Sequence, residues 1–216
     1  MSQPEHLNDP DGHDVLPLGA ATPKGRRTRG RILASGRTVL EEKGYFAGST
    51  SEVAARAGVA LGTFYRYFNN KEQLFLEILA ALVEEMRNAA GSAWGDDDDP
   101  LTSLRKASRR YLSSYRHNRR LIAAFDQMSA AVPECARLWL DLRAGIYEAM
   151  ERHLRRTCPA SAVDPALAAS ALGGMVEEFA HHWFVEAASQ GRRIPSLDEA
   201  ADTLAQIWNR AIYSRP

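Results

Sequence analysis

At 216 residues, with 27 Lys and Arg against 27 Asp and Glu, the chain carries no formal net charge. That length suits one medium core or a small head on a larger body, and a neutral total by itself argues against nucleic acid. Two cysteines, Cys135 and Cys158, define no disulfide framework. Residues 1–23 are polar and acid-bearing instead of forming an apolar leader, and no stretch approaches the roughly 20 apolar residues that span a bilayer, so the chain reads as soluble and cytoplasmic.

The charge is unevenly spread. From Lys24 to Lys71, ten Lys and Arg stand against three acids, Glu41, Glu42 and Glu52, while the remainder holds 17 bases and 24 acids. A basic head on an acidic body concentrates attraction for phosphate at one end. Residues 1–23 mix proline, glycine, aspartate and histidine without periodicity and read as a disordered arm. The run Lys24–Arg31 (KGRRTRGR) adds five bases ahead of the first helix, placed either to lie along phosphates, to enter a minor groove, or to remain a solvated tail. The spacing of Ile32, Leu33, Gly36, Val39 and Leu40 predicts a helix from about Arg29 to Lys43, ended by Gly44.

Residues 49–71, STSEVAARAGVALGTFYRYFNNK, hold two short helices around a glycine turn. Ser49 caps the first, and Glu52 three positions on completes a capping box. Val53, Ala54 and Ala57 form its apolar face, with the alanines small enough for a second helix to cross closely. Gly58 supplies the left-handed backbone of the turn, which costs other residues about 1 kcal/mol or more. Val59, Phe64 and Tyr67 or Phe68 return apolar groups to the same core. Ala60, Leu61, Gly62, Thr63, Tyr65 and Arg66 are left facing outward, as a helix-turn-helix reader of DNA requires.

On Gly58-Val59-Ala60, Gly62-Thr63-Phe64-Tyr65-Arg66-Tyr67-Phe68 and Asn70-Lys71-Glu72, the chain resembles the TetR-type bacterial transcriptional regulators over about its first ninety residues. Beyond them it is similar only in length and helical style. Asn69 departs from the family, where proline often precedes the cap; Asn70 still caps the next helix and Gln73 completes its box. The resemblance assigns Tyr65, Tyr67 and Lys71 to the DNA backbone and puts Ala60, Leu61 and Thr63 near base edges, where Leu61 offers only apolar contact, for example to a thymine methyl. Arg66 reaches phosphate or stays in solvent. The candidate DNA interface as a whole is Ser49, Thr50, Ala60, Leu61, Gly62, Thr63, Tyr65, Arg66, Tyr67 and Lys71.

A connecting helix follows from Lys71 to about Ala90, its stripe of Leu74, Phe75, Ile78, Leu79, Leu82 and Met86 tying head to body. GSAWGDDDD (91–99) reads as a linker, and Asp99-Pro100 opens a helix carrying Leu101, Leu104, Tyr111, Leu112 and Tyr115. A short helix spans Leu121–Met128. Pro133 begins another with Leu138, Trp139, Leu142, Ile146, Met150 and Leu154. Asp164-Pro165 starts a long helix to about Gln190, closed by Gly191, and Ser196 with Glu199 boxes the start of the last, ending near Tyr213. No strand is predicted.

The expected fold is therefore all-α. A three-helix DNA-binding head (24–71, reader 49–68), with its connecting helix 71–90, precedes a helical effector-binding and dimerisation domain (91–216). The long helix is apolar or small on more than one face (Leu167, Leu172, Met175, Val176, Phe179, Trp183, Phe184). With Leu204, Ile207, Trp208, Ile212 and Tyr213 of the last helix it predicts a homodimer. Met86, Tyr115, Phe125, Trp139, Tyr147, Met175, Phe179 and Trp183 are the candidate walls of a pocket for a small apolar effector, the remaining role for each being ordinary core. Gly173-Gly174 in mid-helix costs about 1 kcal/mol each relative to alanine, which a close crossing or a bend beside a ligand explains.

His181-His182 does not read as a metal site, because neighbours on a helix point about 100° apart and do not easily face one ion; His182 reads instead as a polar group of the pocket or the interface, or as neither. Cys135 and Cys158 read as small buried groups, and no cofactor is implied. An enzyme would need a phosphate loop, a metal-spaced helix or a nucleophile elbow, and none is present. The expected function is a ligand-responsive regulator, a repressor by the resemblance, released from its operator by a hydrophobic effector. The alternative is an architectural DNA-binding protein that needs no cavity.

Overall fold

The computed structural model describes residues 22–91, 99–158 and 163–212; most of the predicted arm and linker, and Tyr213, lie outside them. Among the described residues every regular element is helical. Helix α1 (Pro23–Ala47) starts earlier than its apolar spacing predicts. Thr22 caps it by accepting a hydrogen bond from the Gly25 N–H at 3.0 Å, and Pro23 occupies its first turn, where the missing N–H costs nothing. The KGRRTRGR run therefore forms the first two turns of the helix rather than a tail preceding it. At the other end Gly44 breaks the helix with φ 74° and ψ −176°, and the chain resumes one turn to Ala47.

Helix α2 (Thr50–Arg56) is capped by Ser49, whose hydroxyl accepts from the Glu52 N–H at 3.3 Å. The reciprocal half of the expected box does not form. The Glu52 carboxylate instead meets Lys43 and Arg56, each at 2.8 Å, because charged donors outcompete a single amide. Gly58, at φ 64°, ends the helix with paired bonds: its own N–H donates to Ala55 O and the Val59 N–H to Ala54 O. This closes the otherwise orphaned carbonyls. One turn of helix, α3 (Leu61–Phe64), follows, and then α4 (Lys71–Gly91). Asn70 caps α4 through the Gln73 N–H at 2.8 Å, and the Gln73 side chain returns a bond to the Asn69 N–H at 2.7 Å. The unusual Asn69 is thus tied into the cap.

Ile32, Val39 and Leu40 of α1, Val53 and Ala54 of α2, and Phe64, Phe68, Leu74 and Phe75 are all buried, giving the head one small core. Helix α4 carries its apolar stripe onward through Leu79, Leu82 and Met86 into the body. There α5 (Pro100–His117), α6 (Arg119–Ser129), α7 (Pro133–Thr157), α8 (Pro165–His181), α9 (Ala187–Ser189) and α10 (Leu197–Ile212) pack, α7 lying against α4 and α8, α10 against α5, and α6 against α1. Asp99 and Asp164 each cap a helix with proline in its first turn. Ser196 and Glu199 exchange both bonds of their box, at 2.9 and 3.2 Å. The single long helix predicted to Gln190 is interrupted by a π-helical turn at His182–Glu186. Apolar periodicity does not distinguish the two geometries over so short a span.

Head and body are braced by polar contacts. The Gln127 carboxamide of α6 accepts from the Tyr45 N–H at 3.0 Å, directly after the Gly44 break. Arg37 donates to Asn118 Oδ1 at 2.6 Å, and Asn118, 1% exposed, donates in turn to Glu85 at 3.1 Å. A Cβ at position 44 would stand 2.5 Å from Gln127 Oε1, on a backbone only glycine adopts readily. Gly44→Ala should therefore cost about 1–3 kcal/mol, read as a fall in the urea midpoint with an unchanged slope.

Candidate nucleic-acid interface and body cavity

The reader presents a short, exposed edge. Leu61 and Tyr65 are 42% and 49% exposed, Ala60, Gly62 and Arg66 are exposed, Thr63 is half-buried, and a Cβ on Gly62 would meet nothing within 4 Å. The Tyr65 hydroxyl lies 3.3 Å from Thr50 Oγ1, so α2 and the turn after α3 offer two hydroxyls side by side. Ser49 is exposed but committed to its cap. Tyr67 differs from its neighbours: at 8% exposure its ring belongs to the head core. Lys71 is half-buried, its ammonium donating to the Tyr45 carbonyl at 3.0 Å and lying 4.5 Å from the centre of that ring. With three donors on the ammonium, two remain for an anion.

The charge around this edge is sorted by pairing. Arg29 is paired with Glu77, Arg37 with Glu41, Lys43 with Glu52, and Arg56 with both Glu42 and Glu52. The bond from Arg56 holds the Glu42 carboxyl below its usual range, and that from Lys43 does the same for Glu52. Both acids are therefore ionised at neutral pH and cancel bases behind the reader. Arg27, Arg31 and Arg66 make no ion pair among the described residues, and they carry the outward field.

In the body, a cavity of about 50 Å³ lies among α5, α7, α8 and α10, room for a few water molecules. Its walls are Ala107, Ser108 and Tyr111; Trp139, Leu142, Arg143, Ile146, Tyr147 and Met150; Gly173, Val176 and Glu177; and Trp208. Of the eight predicted wall residues, Trp139 and Tyr147 line it. Met86, Tyr115 and Phe125 are buried in the general core. Met175, Phe179 and Trp183 follow a different face of the α8 segment and its continuation, packed half-buried against that core. The close crossing belongs to Gly173 alone, since a Cβ there would overlap the Tyr147 ring, whereas one on Gly174 would come no nearer than 3.8 Å to the Tyr147 hydroxyl. Gly174 is thus outside the wall.

The cavity's main polar group is Glu177, which composition-based reading passes over. It is 7% exposed and bound at both oxygens: Trp139 Nε1–H donates to Oε1 at 2.6 Å, and Arg143 Nε–H to Oε2 at 2.7 Å. The sequence signal was present, since Trp139 and Arg143 stand four apart on one helix and so share a face. Burial pushes the Tyr111 and Tyr147 phenols up, with Glu177 adding to the effect, so both remain neutral donors.

His181 Nε2 lies 2.9 Å from Asp126 and its Nδ1 3.8 Å from Glu186, whose other oxygen lies 3.1 Å from His182 Nδ1. Among the described residues no three His, Cys, Asp or Glu converge to hold a metal. Burial pushes the Cys135 thiol up; Cys158 is half-buried, and the two are unpaired. No described helix is long and apolar enough to cross a membrane.

Residues 32–78 match the family model of the bacterial regulatory proteins of the tetR family. The HTH-type transcriptional regulator EthR of Mycobacterium tuberculosis is 27% identical over 215 residues, covering 90% of this chain and 94% of that one. The HTH-type transcriptional activator FasR of Mycolicibacterium smegmatis is 29% identical over 100 residues, where the chain spans 46% of its own length and 45% of the relative's. Among solved structures, the TetR family transcriptional regulator PfmR of Thermus thermophilus superposes with a TM-score of 0.66 at 24% identity, over 83% of this chain and 97% of that one. Residues 32–78 are therefore similar to the tetR family of bacterial regulatory proteins, and over the whole length the likeness to the solved structures is one of fold.

Removing one of the screening acids should expose the pairing directly. Glu52→Gln leaves Lys43 without its partner, so DNA affinity should rise several-fold at low salt. The plot of log affinity against log salt should steepen by about one unit, measured by fluorescence anisotropy on any duplex.

Proposed function

We propose that the chain is a ligand-responsive repressor that binds operator DNA as a homodimer and is released by a small hydrophobic effector. The observation that carries the DNA half is the exposed edge of Leu61, Tyr65 and Arg66, with half-buried Thr63 and Thr50 beside them and the acids paired away behind it. Tyr65 and Lys71 supply phosphate contacts that position the head, while Leu61 and Thr63 read base edges. The two heads of a dimer must stand roughly 34–36 Å apart to enter successive major grooves.

For the dimer, the support is unpartnered apolar surface on the last two long helices. Leu167 is 69% and Ile207 47% exposed, and Met175 and Phe179 of α8 and Ile212 of α10 are only half-buried. Pairing α8 and α10 with their symmetry mates makes a four-helix interface.

For release, the support is mechanical. Helix α7 supplies Trp139, Arg143 and Tyr147 to the cavity and packs against α4, the helix that reaches into the head. A ligand that enlarges the cavity displaces α7 and shifts the head spacing, at a coupling of typically 1–3 kcal/mol. The small size of the cavity favours a second reading, an architectural protein without an effector; DNA binding unmoved by any ligand that enters the cavity would establish it.

Two sets of variants test the first reading. Tyr65→Phe combined with Lys71→Ala should weaken binding at least tenfold on every sequence, whereas Leu61→Ala or Thr63→Ala should change the preferred sequence in a selection from random duplexes. Unchanged operator affinity in the double variant would remove the assignment. Leu167→Glu combined with Ile207→Glu should sediment as a folded monomer with much weaker operator binding, and a monomeric parent would refute the dimer.

A further inference from the structure

The body cavity has room for only a few water molecules, so a larger occupant must displace part of its wall. Most of that wall is committed. Ser108, Tyr111, Leu142, Met150, Val176 and Trp208 are buried, and moving any of them unpacks a helix contact. Arg143 is the exception. Its side chain is 45% exposed, and among the described wall residues it alone is exposed. It is held to the site by the bond from its Nε–H to Glu177 Oε2 at 2.7 Å. Swinging outward returns the guanidinium to water and leaves the helices in place.

That exit has an electrostatic consequence. Glu177 is 7% exposed, and among the described residues Arg143 is its one ion-pair partner. A buried carboxylate stripped of its partner is strongly disfavoured. An uncharged occupant that pushed Arg143 aside would leave it so, and an anion would set a second negative charge beside it. Only an occupant with its own positive charge restores the pair. The rest of the wall suits such a group. Trp139 Nε1–H keeps Oε1 at 2.6 Å and holds the carboxylate in position while Oε2 changes partners. Ser108, Tyr111 and Tyr147 bear hydroxyls, which accept from an ammonium as well as donate. Tyr111, Trp139, Tyr147 and Trp208 bring aromatic rings to the same wall, and a ring face attracts a cation.

We propose that the cavity is the site of a lipophilic organic cation, of the aromatic ammonium class, which displaces the Arg143 guanidinium and takes its place on Glu177 Oε2. Arg143 is then a built-in competitor that keeps the carboxylate paired until the ligand arrives. That this cation is also the effector rests on the reading of the cavity as the effector site; its binding does not.

The test compares probes of one shape on the full-length protein by calorimetry near neutral pH: 2-naphthylmethylammonium, 2-naphthylmethanol and 2-naphthoate. The cation should bind at least about tenfold more tightly than the alcohol or the carboxylate, the scale of one charge-assisted hydrogen bond in a buried site. Glu177→Gln, which keeps an acceptor for Trp139, should weaken the cation about tenfold and leave the alcohol within about twofold. Arg143→Ala removes the competitor, so the cation should bind it about tenfold more tightly and raise its melting temperature more than the parent's. An ion pair with a structural role alone would behave differently, since losing Arg143 would then weaken every probe alike. If either variant fails to fold, the ranking of the probes on the parent still decides. The alcohol or the carboxylate binding the parent as tightly as the cation, or no probe binding the parent or Arg143→Ala, would overturn the assignment. Cation binding that leaves operator affinity unchanged would remove the effector role while leaving the cation site in place.

Discussion

The structure turns on the place where α6 grips the end of α1. A helix cannot pass its last turn to a DNA-reading motif at an arbitrary angle; something must fix the bend. Here Gly44 supplies the bend and Gln127 holds it, through a single hydrogen bond to the Tyr45 amide. The same tyrosine, through its carbonyl and ring, seats the Lys71 ammonium at the start of α4. One residue thus joins the body, the first helix and a candidate phosphate contact. Arg37 and Asn118 repeat the linkage further along α1, tying it to α4 through Glu85. With two such braces α1 is tied by polar contacts to both α4 and α6.

Electrostatics divides the molecule in the same way. The neutral total conceals a head whose bases fall into two groups. Lys43 and Arg56 are absorbed by Glu42 and Glu52 and hold α1 to α2, whereas Arg27, Arg31 and Arg66 remain for the solvent side. A structural ion pair and a phosphate-seeking base are chemically the same residue type. Only the position of the nearest carboxylate separates them.

That distinction marks the boundary of what the sequence discloses. The reader was legible because its determinants are local: a serine cap, a glycine in the left-handed region, small residues at a crossing, all within a few positions of one another. Even there, the box at Glu52 depended on Lys43, a helix away, and did not form. Helix starts announced by Asp99-Pro100, Pro133 and Asp164-Pro165 were likewise local and appear where predicted. The start of α1 was missed because Thr22 and Pro23 precede any apolar period. The cavity was the least legible part. Its walls come from four helices, and choosing between Gly173, Val176, Glu177 and the adjacent stripe of Met175, Phe179 and Trp183 requires knowing which side of α8 looks at α7. Size and aromaticity picked the second set; the crossing geometry selects the first, with a charged residue at its centre.

The notch at Gly173 has an evolutionary consequence. Because the Tyr147 ring fills the space a Cβ would need, positions 147 and 173 are not free to drift separately. An alanine at 173 is accommodated only if the Tyr147 ring moves aside or the residue there shrinks, and either change alters the α7 side of the cavity. Divergence at this pair should therefore proceed as a correlated exchange between a bulky residue facing glycine and a slim one facing alanine. Each exchange would redraw the cavity of a descendant while residues 49–71 stay as they were.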